Sequence, residues 1–477
     1  MAVPPVVADD ALGAFLVASL RARRPDDGLT VVSLPAPWLP LEPLWDALPT
    51  EPAMLWDPPR SPADPADGPA APGPAGDQGE ACLGLGEVAA HPELLAGLPV
   101  ERLAPPGQAP GSLRWLGGLP FTGAVAEPPW TDFPATAPSL PRWRYSRGPA
   151  GCAWHLTVRA PTDSLIAQVA AEYRALTRAG AAPPQGVDAA PQVPLRCQPL
   201  PWARWQQWLA RILQHIAHGD VDKVVAVRRT TLVFPQPLVA SAVLGRLRAQ
   251  APQSIRFALR RGGATFLGAT PELLLRKRGR TVTTDALAGT VARGAGSLAE
   301  LSAQLLGSDK DRREHAPVVA AIKQRLVPLC SDIEAPATPQ IRVLPHLLHL
   351  HTPIRATTRS PSVQVLELVR ALHPTPAVGG TPTDRALQLI AAHEPQPRGY
   401  YAGPLGWYDE HGDGEFAVAI RSGVILGDTA YVYGGAGIVR GSEPALEYAE
   451  TATKMRTMLD ALGVPRDLAD LVEGQDE

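Results

Sequence analysis

The sequence contains few cysteines and no long hydrophobic run. Its four cysteines lie far apart, without CxxC spacing, at positions 82, 152, 197 and 330. This scatter argues against a zinc site or a disulfide framework. No apolar span of membrane-crossing length occurs, and two aspartates precede the first apolar run, where a signal peptide would carry positive charge. We therefore expect a cytoplasmic protein with reduced thiols and no membrane partner.

The chain also has no excess of positively charged residues. The chain has 44 Lys and Arg residues against 47 Asp and Glu residues, which gives a formal charge of −3. This balance provides no basic field for nucleic acid. An anionic ligand would need Arg or Lys placed locally. The apolar fraction of 45% and the length of 477 residues are typical of a globular protein, and length alone suggests two to three domains.

The order of local patterns along the chain indicates an α+β fold. Residues 1–147 alternate short apolar runs with proline-rich breaks, and 57–80 has the composition of a solvated loop. Helical periodicity predicts helices over 163–178 and 204–218. From residue 221 onwards, strand-like runs with tight turns are interrupted by helices near 297–327, 362–372, 383–393 and 444–462. Hairpins rather than regular βαβ units therefore connect the strands.

One polar stripe near the C-terminus has two interpretations. A glycine-rich run at 433–437 precedes a helix on which Glu447, Glu450, Thr451 and Lys454 fall on one face. Such a stripe is usually solvated, and its i,i+4 ion pair contributes only about 0.2–0.5 kcal/mol. The glycines favour a binding site instead, because a backbone without Cβ atoms allows close approach of a ligand. The stripe alone leaves both interpretations open.

A series of motifs from residue 203 to residue 463 resembles the chorismate-utilising enzymes, and among them the isochorismate synthases. In chain order the motifs are KVVAVRR, FLGATPELLL, LAGT, DRREH, LHLHT, LHPTPAVGGTP, RGYYAGPLGW, FAVAIRS, YGGAGIV and EYAETATK. The N-terminal third matches only loosely, in MLWDPP, LGLGE and RWLGGLPF, which are similar to the menaquinone-pathway type.

The resemblance implies a fold and a substrate. The fold is one large α+β domain with two antiparallel sheets at the core and helices outside, like the anthranilate synthase large subunit. Residues 1–200 would form its divergent N-terminal part, 201–465 the chorismate-binding catalytic core and 466–477 a tail. The implied substrate is chorismate, the implied cofactor is Mg²⁺, and the expected oligomeric state is a monomer.

Two catalytic residues are carried over from the family motifs. Conversion of chorismate to isochorismate adds water at one ring carbon while hydroxide leaves another, so it needs a base and an acid. Lys223 matches the base that activates water, and we expect burial or a neighbouring cation, with Arg228 as a candidate, to favour its neutral form. Glu272 matches the acid, which the apolar residues 273–275 would help to keep protonated.

The remaining matches concern metal and substrate. Glu314 and Glu450 match the Mg²⁺ ligands, and the acidic residue three positions before each, Asp311 and Glu447, would act through water or support the ligands. The residues that match substrate-binding positions are Gly289, Thr290, His349, Ala377, Tyr401, Arg421, Gly435, Gly437 and Lys454. Tyr401, Arg421 and Lys454 are suited to a carboxylate.

Two alternatives to an isochorismate synthase stay open at this point. Lysine at 223 favours water over ammonia as nucleophile, which separates the chain from anthranilate and aminodeoxychorismate synthases. Salicylate synthases share the lysine and go on to eliminate pyruvate, but tend to carry threonine where this chain has Ala377. A regulator that binds chorismate without catalysis is the other alternative, and the presence of Lys223 and Glu272 argues against it.

Overall fold

The fold was analysed in a computed structural model of the chain. The structure describes residues 9–23, 28–59, 80–89, 98–123, 125–134, 138–148, 151–182, 192–293, 296–344 and 347–465. Most of the proline-rich segment 57–80 and the whole predicted tail 466–477 lie outside these residues.

Ten helices and 21 strands are defined within the described residues. The helices are α1 Asp9–Arg21, α2 Leu41–Asp46, α3 Asp163–Ala181, α4 Trp202–His218, α5 Ala240–Gln250, α6 Leu298–Gly307, α7 Asp309–Leu326, α8 Val365–Leu372, α9 Thr383–His393 and α10 Pro444–Leu462. The first strands are β1 Leu29–Pro35, β2 Ala53–Asp57, β3 Ala81–Leu85, β4 Val100–Leu103, β5 Arg114–Gly118, β6 Trp143–Gly148, β7 Gly151–Arg159, β8 Arg196–Gln198, β9 Lys223–Val233, β10 Ile255–Arg261 and β11 Ala264–Thr270. The others are β12 Leu273–Arg278, β13 Thr281–Ala292, β14 Cys330–Glu334, β15 Gln340–Val343, β16 Leu347–Thr358, β17 Gly380–Thr381, β18 Pro404–Asp409, β19 Gly414–Val418, β20 Ser422–Leu426 and β21 Thr429–Val439.

The strands form two sheets. The first has 13 strands in the order β17-β9-β21-β20-β11-β10-β2-β3-β6-β7-β1-β4, with β8 paired to β9. The second has eight strands in the order β14-β16-β13-β12-β19-β18-β5, with β15 paired to β16. All named pairs are antiparallel except β1 with β4. The predicted α+β class with two antiparallel sheets is therefore confirmed, apart from this one parallel pair.

Apolar side chains pack on both faces of the first sheet. Phe266 on β11 faces a core shared with the second sheet, which includes Phe416 of β19. The next residue, Leu267, points the opposite way into a core that includes Met455 of α10. This alternation follows from the two-residue period of a strand. The first sheet is thus buried between the second sheet and a layer of helices.

The helix boundaries agree with the sequence patterns in most places. α4 ends at Gly219, which adopts the left-handed conformation with φ of 78°. The predicted helix near 297–327 is instead two helices, α6 and α7, separated at Ser308. The Ser308 side chain accepts a hydrogen bond from the Asp311 N–H at 3.2 Å and so caps α7. This cap fixes the first turn of the helix that carries Glu314.

The N-terminal and C-terminal parts of the chain share the first sheet. β2 pairs with β10 from Ala53 opposite Arg260 to Asp57 opposite Arg256. The boundary at residue 200 stays a prediction. Within the described ranges no helix combines the length and the hydropathy that crossing a membrane requires.

Candidate active site

A cleft of about 700 Å³, its open mouth included, lies where the first sheet faces β13 and β16 of the second. β9 and β21 supply its floor, and α7, α10 and the loops around 377 and 401 supply its walls. The predicted residues that line it are Lys223, Glu272, Gly289, Thr290, Glu314, His349, Ala377, Tyr401, Arg421, Gly435, Gly437 and Lys454. The fold thus brings together side chains from residue 223 to residue 454. Asp311, Glu447 and Glu450 are not among the lining residues.

Lys223 opens β9 and is almost fully buried, with 7% of its surface exposed. Its Nζ donates a hydrogen bond to Glu314 Oε1 at 2.8 Å. The pair lies directly above Gly437 on the neighbouring strand β21. A Cβ atom at position 437 would come within 2.8 Å of Lys223 Cε and 3.0 Å of Glu314 Oε1. Glycine therefore leaves space here for the ends of these two side chains.

Replacement of Gly437 by alanine is expected to lower activity by about 10- to 100-fold with the fold retained, because the added methyl group displaces the flexible ends of Lys223 and Glu314. Steady-state kinetics together with thermal unfolding would measure both effects. Gly263→Ala is the matched control, since its added Cβ would meet only Leu426, at 3.8 Å. Unchanged kinetics in Gly437→Ala would show that this position tolerates a side chain.

Arg228 does not lie beside Lys223 in the cleft. Residues five apart on one strand point to opposite faces, so Arg228 lies on the far side of β9. Its Nε donates a hydrogen bond to Thr451 Oγ1, and its guanidinium stacks on the Tyr448 ring at 3.7 Å. Thr451 of the polar stripe is accordingly fully buried between α10 and the sheet, and does not face the cleft.

Glu272 lies just before β12 and has only 5% of its surface exposed. Burial raises the pKa of its carboxyl group to about 7, and the negative charge of Asp285 acts in the same direction. The positive charges of Arg421, Lys223 and Lys454 oppose this rise. A substantial fraction of Glu272 is therefore protonated at neutral pH, as the sequence analysis expected.

The raised pKa of Glu272 predicts a pH-dependent stability difference. Its folded-state pKa of about 7 exceeds the ordinary value of 4.5, so the protonated form stabilises the fold fully below pH 4.5 and this contribution disappears as the pH rises through 7. The difference corresponds to about 3 kcal/mol. Denaturant unfolding should show Glu272→Gln gaining about 2.5 kcal/mol of stability relative to wild type between pH 5 and pH 8. A constant difference across the pH range would contradict the assignment.

A buried hydrogen-bond chain connects Arg421 to Gly289 and Thr290, at the irregularity in the pairing of β13. Arg421 Nη2 donates to His349 Nε2 at 3.1 Å, and because a guanidinium cannot accept, the proton of the neutral ring lies on Nδ1. Nδ1 is 3.2 Å from the Gly289 carbonyl oxygen and 2.9 Å from Thr290 Oγ1. Burial, and then the charges of Arg421 and Lys454, hold the pKa of His349 well below its usual value. His349 is thus a neutral residue that orients Arg421.

The turn between β19 and β20 places Arg421 in the cleft. Arg421 has φ of 53°, in the left-handed region that non-glycine residues rarely adopt. Its side chain is 6% exposed and points towards Tyr401, whose ring stacks on Tyr433 at 5.1 Å between centroids. Burial raises the pKa of Tyr401 to about 12, so its hydroxyl stays protonated. Together they offer one fixed cation and one hydroxyl donor to an anionic ligand.

The two predicted metal ligands are each paired with a lysine. Glu450 Oε1 lies 2.6 Å from Lys454 Nζ, which also donates to the Gly435 carbonyl at 2.9 Å. Glu314 pairs with Lys223. In the described part of the chain, no group of three or more His, Cys, Asp or Glu side chains is placed to hold a metal ion. Mg²⁺ typically takes one or two protein carboxylates and completes its shell with waters and ligand oxygens. The two glutamates fit that requirement only together with a bound anionic ligand.

Asp311 and Glu447, the two acidic residues predicted to support the metal ligands, are not among the residues that line the cleft. Asp311 Oδ1 accepts a hydrogen bond from the Thr290 N–H at 3.3 Å, and its Cβ packs 3.0 Å from the position a Gly289 side chain would take. Asp311 therefore anchors residues 289–290 of β13 to α7. Glu447 is 95% buried at the start of α10. Their predicted roles around a metal ion stay predictions.

Arg398 lines the cleft and was missed by the sequence analysis. It is the first residue of the quoted motif RGYYAG, in which only Tyr401 was proposed as a site residue. A lone arginine before a turn carries no sequence signal for a buried site, because arginine is mostly exposed. The only available signal was its place three residues before Tyr401.

Comparison with known proteins agrees with this geometry. The sequence profile of the family described as chorismate binding enzyme matches residues 103–463. The isochorismate synthase MenF of Bacillus subtilis is 40% identical over 264 residues, which cover 55% of this chain and 56% of that protein. A salicylate biosynthesis isochorismate synthase of Pseudomonas aeruginosa is 43% identical over 262 residues, covering 54% of this chain and 55% of that protein. The aligned region thus spans little more than half of either relative.

Solved structures extend the similarity to the N-terminal part. The structure of MenF, the menaquinone-specific isochorismate synthase from Escherichia coli, is similar with a TM-score of 0.75 and 27% identity over 95% of this chain and 99% of that chain. Anthranilate synthase component I from Streptococcus pneumoniae shares the fold, with a TM-score of 0.59 and 21% identity. The match covers 72% of this chain and 79% of that chain. The chain belongs to the chorismate binding enzyme family.

Proposed function

We propose that this chain is an isochorismate synthase, an isomerase that interconverts chorismate and isochorismate with Mg²⁺. The observation that carries the proposal is the placement of Lys223 and Glu272 in one cleft, each nearly buried. Relatives named isochorismate synthase support it. A binding protein without catalysis would have no need of a buried carboxyl group with a pKa of about 7.

The proposed reaction moves two protons. Lys223 Nζ, in its neutral form, takes a proton from water as the water oxygen bonds to C2 of the ring. The ring double bonds shift, the bond from C4 to its hydroxyl group breaks, and Glu272 gives its proton to the departing oxygen. One water is added and one is released. In the reverse direction the two residues exchange roles.

The substrate is a dicarboxylate, and the cleft offers cations for it. We assign the enolpyruvyl carboxylate to Arg421, Tyr401 and Lys454, with the Arg421 guanidinium able to form two parallel hydrogen bonds. Gly435 allows the ring to approach the backbone, because it has no Cβ atom; one added there would lie only 3.2 Å from Val227 Cγ2 and 3.4 Å from Val225 Cγ1. Ala377 forms the opposite wall.

Glu314 and Glu450 would hold Mg²⁺ together with substrate oxygens. A bound Mg²⁺ supplies charge neutralisation and orientation for a substrate carboxylate. The Glu314 carboxylate, whose Oε1 accepts the hydrogen bond from Lys223 Nζ, would place the metal site next to the proposed base.

The pathway, location and assembly belong to the same proposal. Similarity to MenF over nearly the whole chain supports a role in menaquinone biosynthesis. Cytoplasmic location and a monomeric state stay predictions from the sequence.

A single assay tests the proposed function. The protein is incubated with chorismate and Mg²⁺, and the products are separated by chromatography. Isochorismate as the sole product is the expected result. Salicylate with an equal amount of pyruvate would instead identify a salicylate synthase. Unchanged chorismate, together with saturable binding of chorismate by calorimetry, would identify a non-catalytic binding protein.

A further inference from the structure

The strand that carries Lys223 has an incomplete outer edge. Along its inner edge β9 pairs with β21 over its whole length. Along the outer edge, within the described residues, β17 pairs with 223–224 and β8 with 231–233. Between these two short pairings the Val225 N–H donates to the Gly379 carbonyl at 2.9 Å, and several other backbone groups of β9 bond to side chains. The Arg229 N–H donates to Gln396 Oε1 at 2.9 Å.

Two charged side chains complete this edge nearer the cleft. The Val227 N–H donates to Glu394 Oε2 at 3.0 Å, and the Val225 carbonyl accepts from Arg398 Nη2 at 2.7 Å. Glu394 and Arg398 also bind each other through two hydrogen bonds, of 2.6 and 2.7 Å. The side chains of Glu394, Gln396 and Arg398 therefore satisfy backbone groups of β9 that a neighbouring strand would otherwise satisfy.

Arg398 also reaches the opposite wall of the cleft. Its Nη1 donates to the Val378 carbonyl at 2.7 Å, next to Ala377. Its guanidinium lies 4.2 Å from the centroid of the Phe121 ring, which belongs to the N-terminal part of the chain. The Arg398 carbonyl accepts from the Tyr401 N–H at 2.9 Å. The buried Arg398 guanidinium therefore connects the Lys223 strand to the Ala377 wall, and the Arg398 carbonyl adds the Tyr401 turn.

We propose that Arg398, held by Glu394, is a positioning residue that sets the spacing between the Lys223 strand and the wall at Ala377. This rests on the proposed function of the cleft. A ring bound between these two surfaces is oriented by their separation, and a misplacement of about 1 Å can cost about 100-fold in rate. The planar fork of an arginine reaches the Val225, Val378 and Glu394 acceptors at once, whereas a lysine has one nitrogen and cannot span them.

The Arg398→Lys variant tests this role against a matched control. Arg276 also forms a two-bonded ion pair, with Glu415 at 3.0 Å for both contacts, and it lies outside the chorismate cleft. Each variant loses the two parallel hydrogen bonds between an arginine and a buried glutamate, so both should unfold at a lower temperature than wild type. At a temperature where both are folded, kcat for isochorismate formation is expected to fall about 100-fold in Arg398→Lys and to stay within threefold of wild type in Arg276→Lys.

Chemical rescue provides a second readout. Because Arg398 lines the cleft, millimolar guanidinium is expected to restore part of kcat in Arg398→Ala, and to leave Arg276→Ala unchanged. A folded Arg398→Lys variant with kcat within threefold of wild type would overturn the positioning role and leave the proposed function intact. Absence of isochorismate formation by the wild-type protein would overturn both.

Discussion

Lys223→Gln is expected to lower kcat for isochorismate formation by about 10²- to 10⁴-fold, the usual contribution of a positioned general base. A glutamine amide can still donate a hydrogen bond to Glu314, so the fold and the binding of chorismate should persist. It cannot accept a proton from water, so the attacking oxygen loses its activation. Chromatographic product analysis under single-turnover conditions measures the chemical step, and calorimetry measures chorismate binding.

The control for this variant is another buried lysine. Lys277 is 1% exposed and donates to Asp413 Oδ1 at 2.8 Å, at a distance from the chorismate cleft. Lys277→Gln should lose stability and keep its kcat. If Lys223→Gln turned over chorismate at the wild-type rate, Lys223 would not be the base, and the proposed mechanism would need another proton acceptor.

Removal of Mg²⁺ is expected to reduce the activity by about 1,000-fold or more. Charge neutralisation by a bound cation is worth several kcal/mol, and about 4 kcal/mol corresponds to three powers of ten in rate. Dialysis against a chelator followed by the product assay would show the loss. Readdition of Mg²⁺ should restore the activity fully, which separates loss of the cofactor from unfolding.

The ligand assignment has its own test. Glu450→Ala is expected to weaken Mg²⁺ binding at least about tenfold, since loss of groups that merely support a metal ligand already costs this much. Calorimetry should be performed with chorismate present in the Lys223→Gln background, which prevents turnover. Glu410→Ala removes another ion-paired carboxylate, the partner of Arg102, and should leave Mg²⁺ affinity unchanged. Equal affinities in the two variants would remove Glu450 from the metal site.

Much of the cleft could be predicted from the sequence because its residues occur in short motifs at the ends of strands and helices. Lys223 opens β9, Glu272 precedes β12, and Lys454 lies one turn after Glu450 on α10. The match of these motifs to the chorismate-utilising enzymes is what predicts such positions; residue type and order alone would not. Periodicity also predicted α10 correctly, but it could not tell which face of that helix meets the cleft.

The errors have physical causes. Arg228 was proposed as a neighbour of Lys223 from proximity in sequence, although strand alternation sends the two side chains to opposite faces. Arg398 was missed because its partners are the carbonyls of Val225 and Val378, which are distant in sequence. Main-chain acceptors have no sequence signature, so a residue that binds them can be recognised only once the chain is folded.

The pairing of β2 with β10 has a consequence for how the protein unfolds. β10 is hydrogen-bonded on one side to β11 and on the other to β2, from the N-terminal part of the chain. A fragment beginning near residue 201 would leave one side of β10 without a partner, and an open strand edge invites association with other chains. Separation of the two parts would therefore break the hydrogen bonds between β2 and β10, and not only a connecting segment. We expect a single cooperative denaturation transition in which neither part survives the loss of the other.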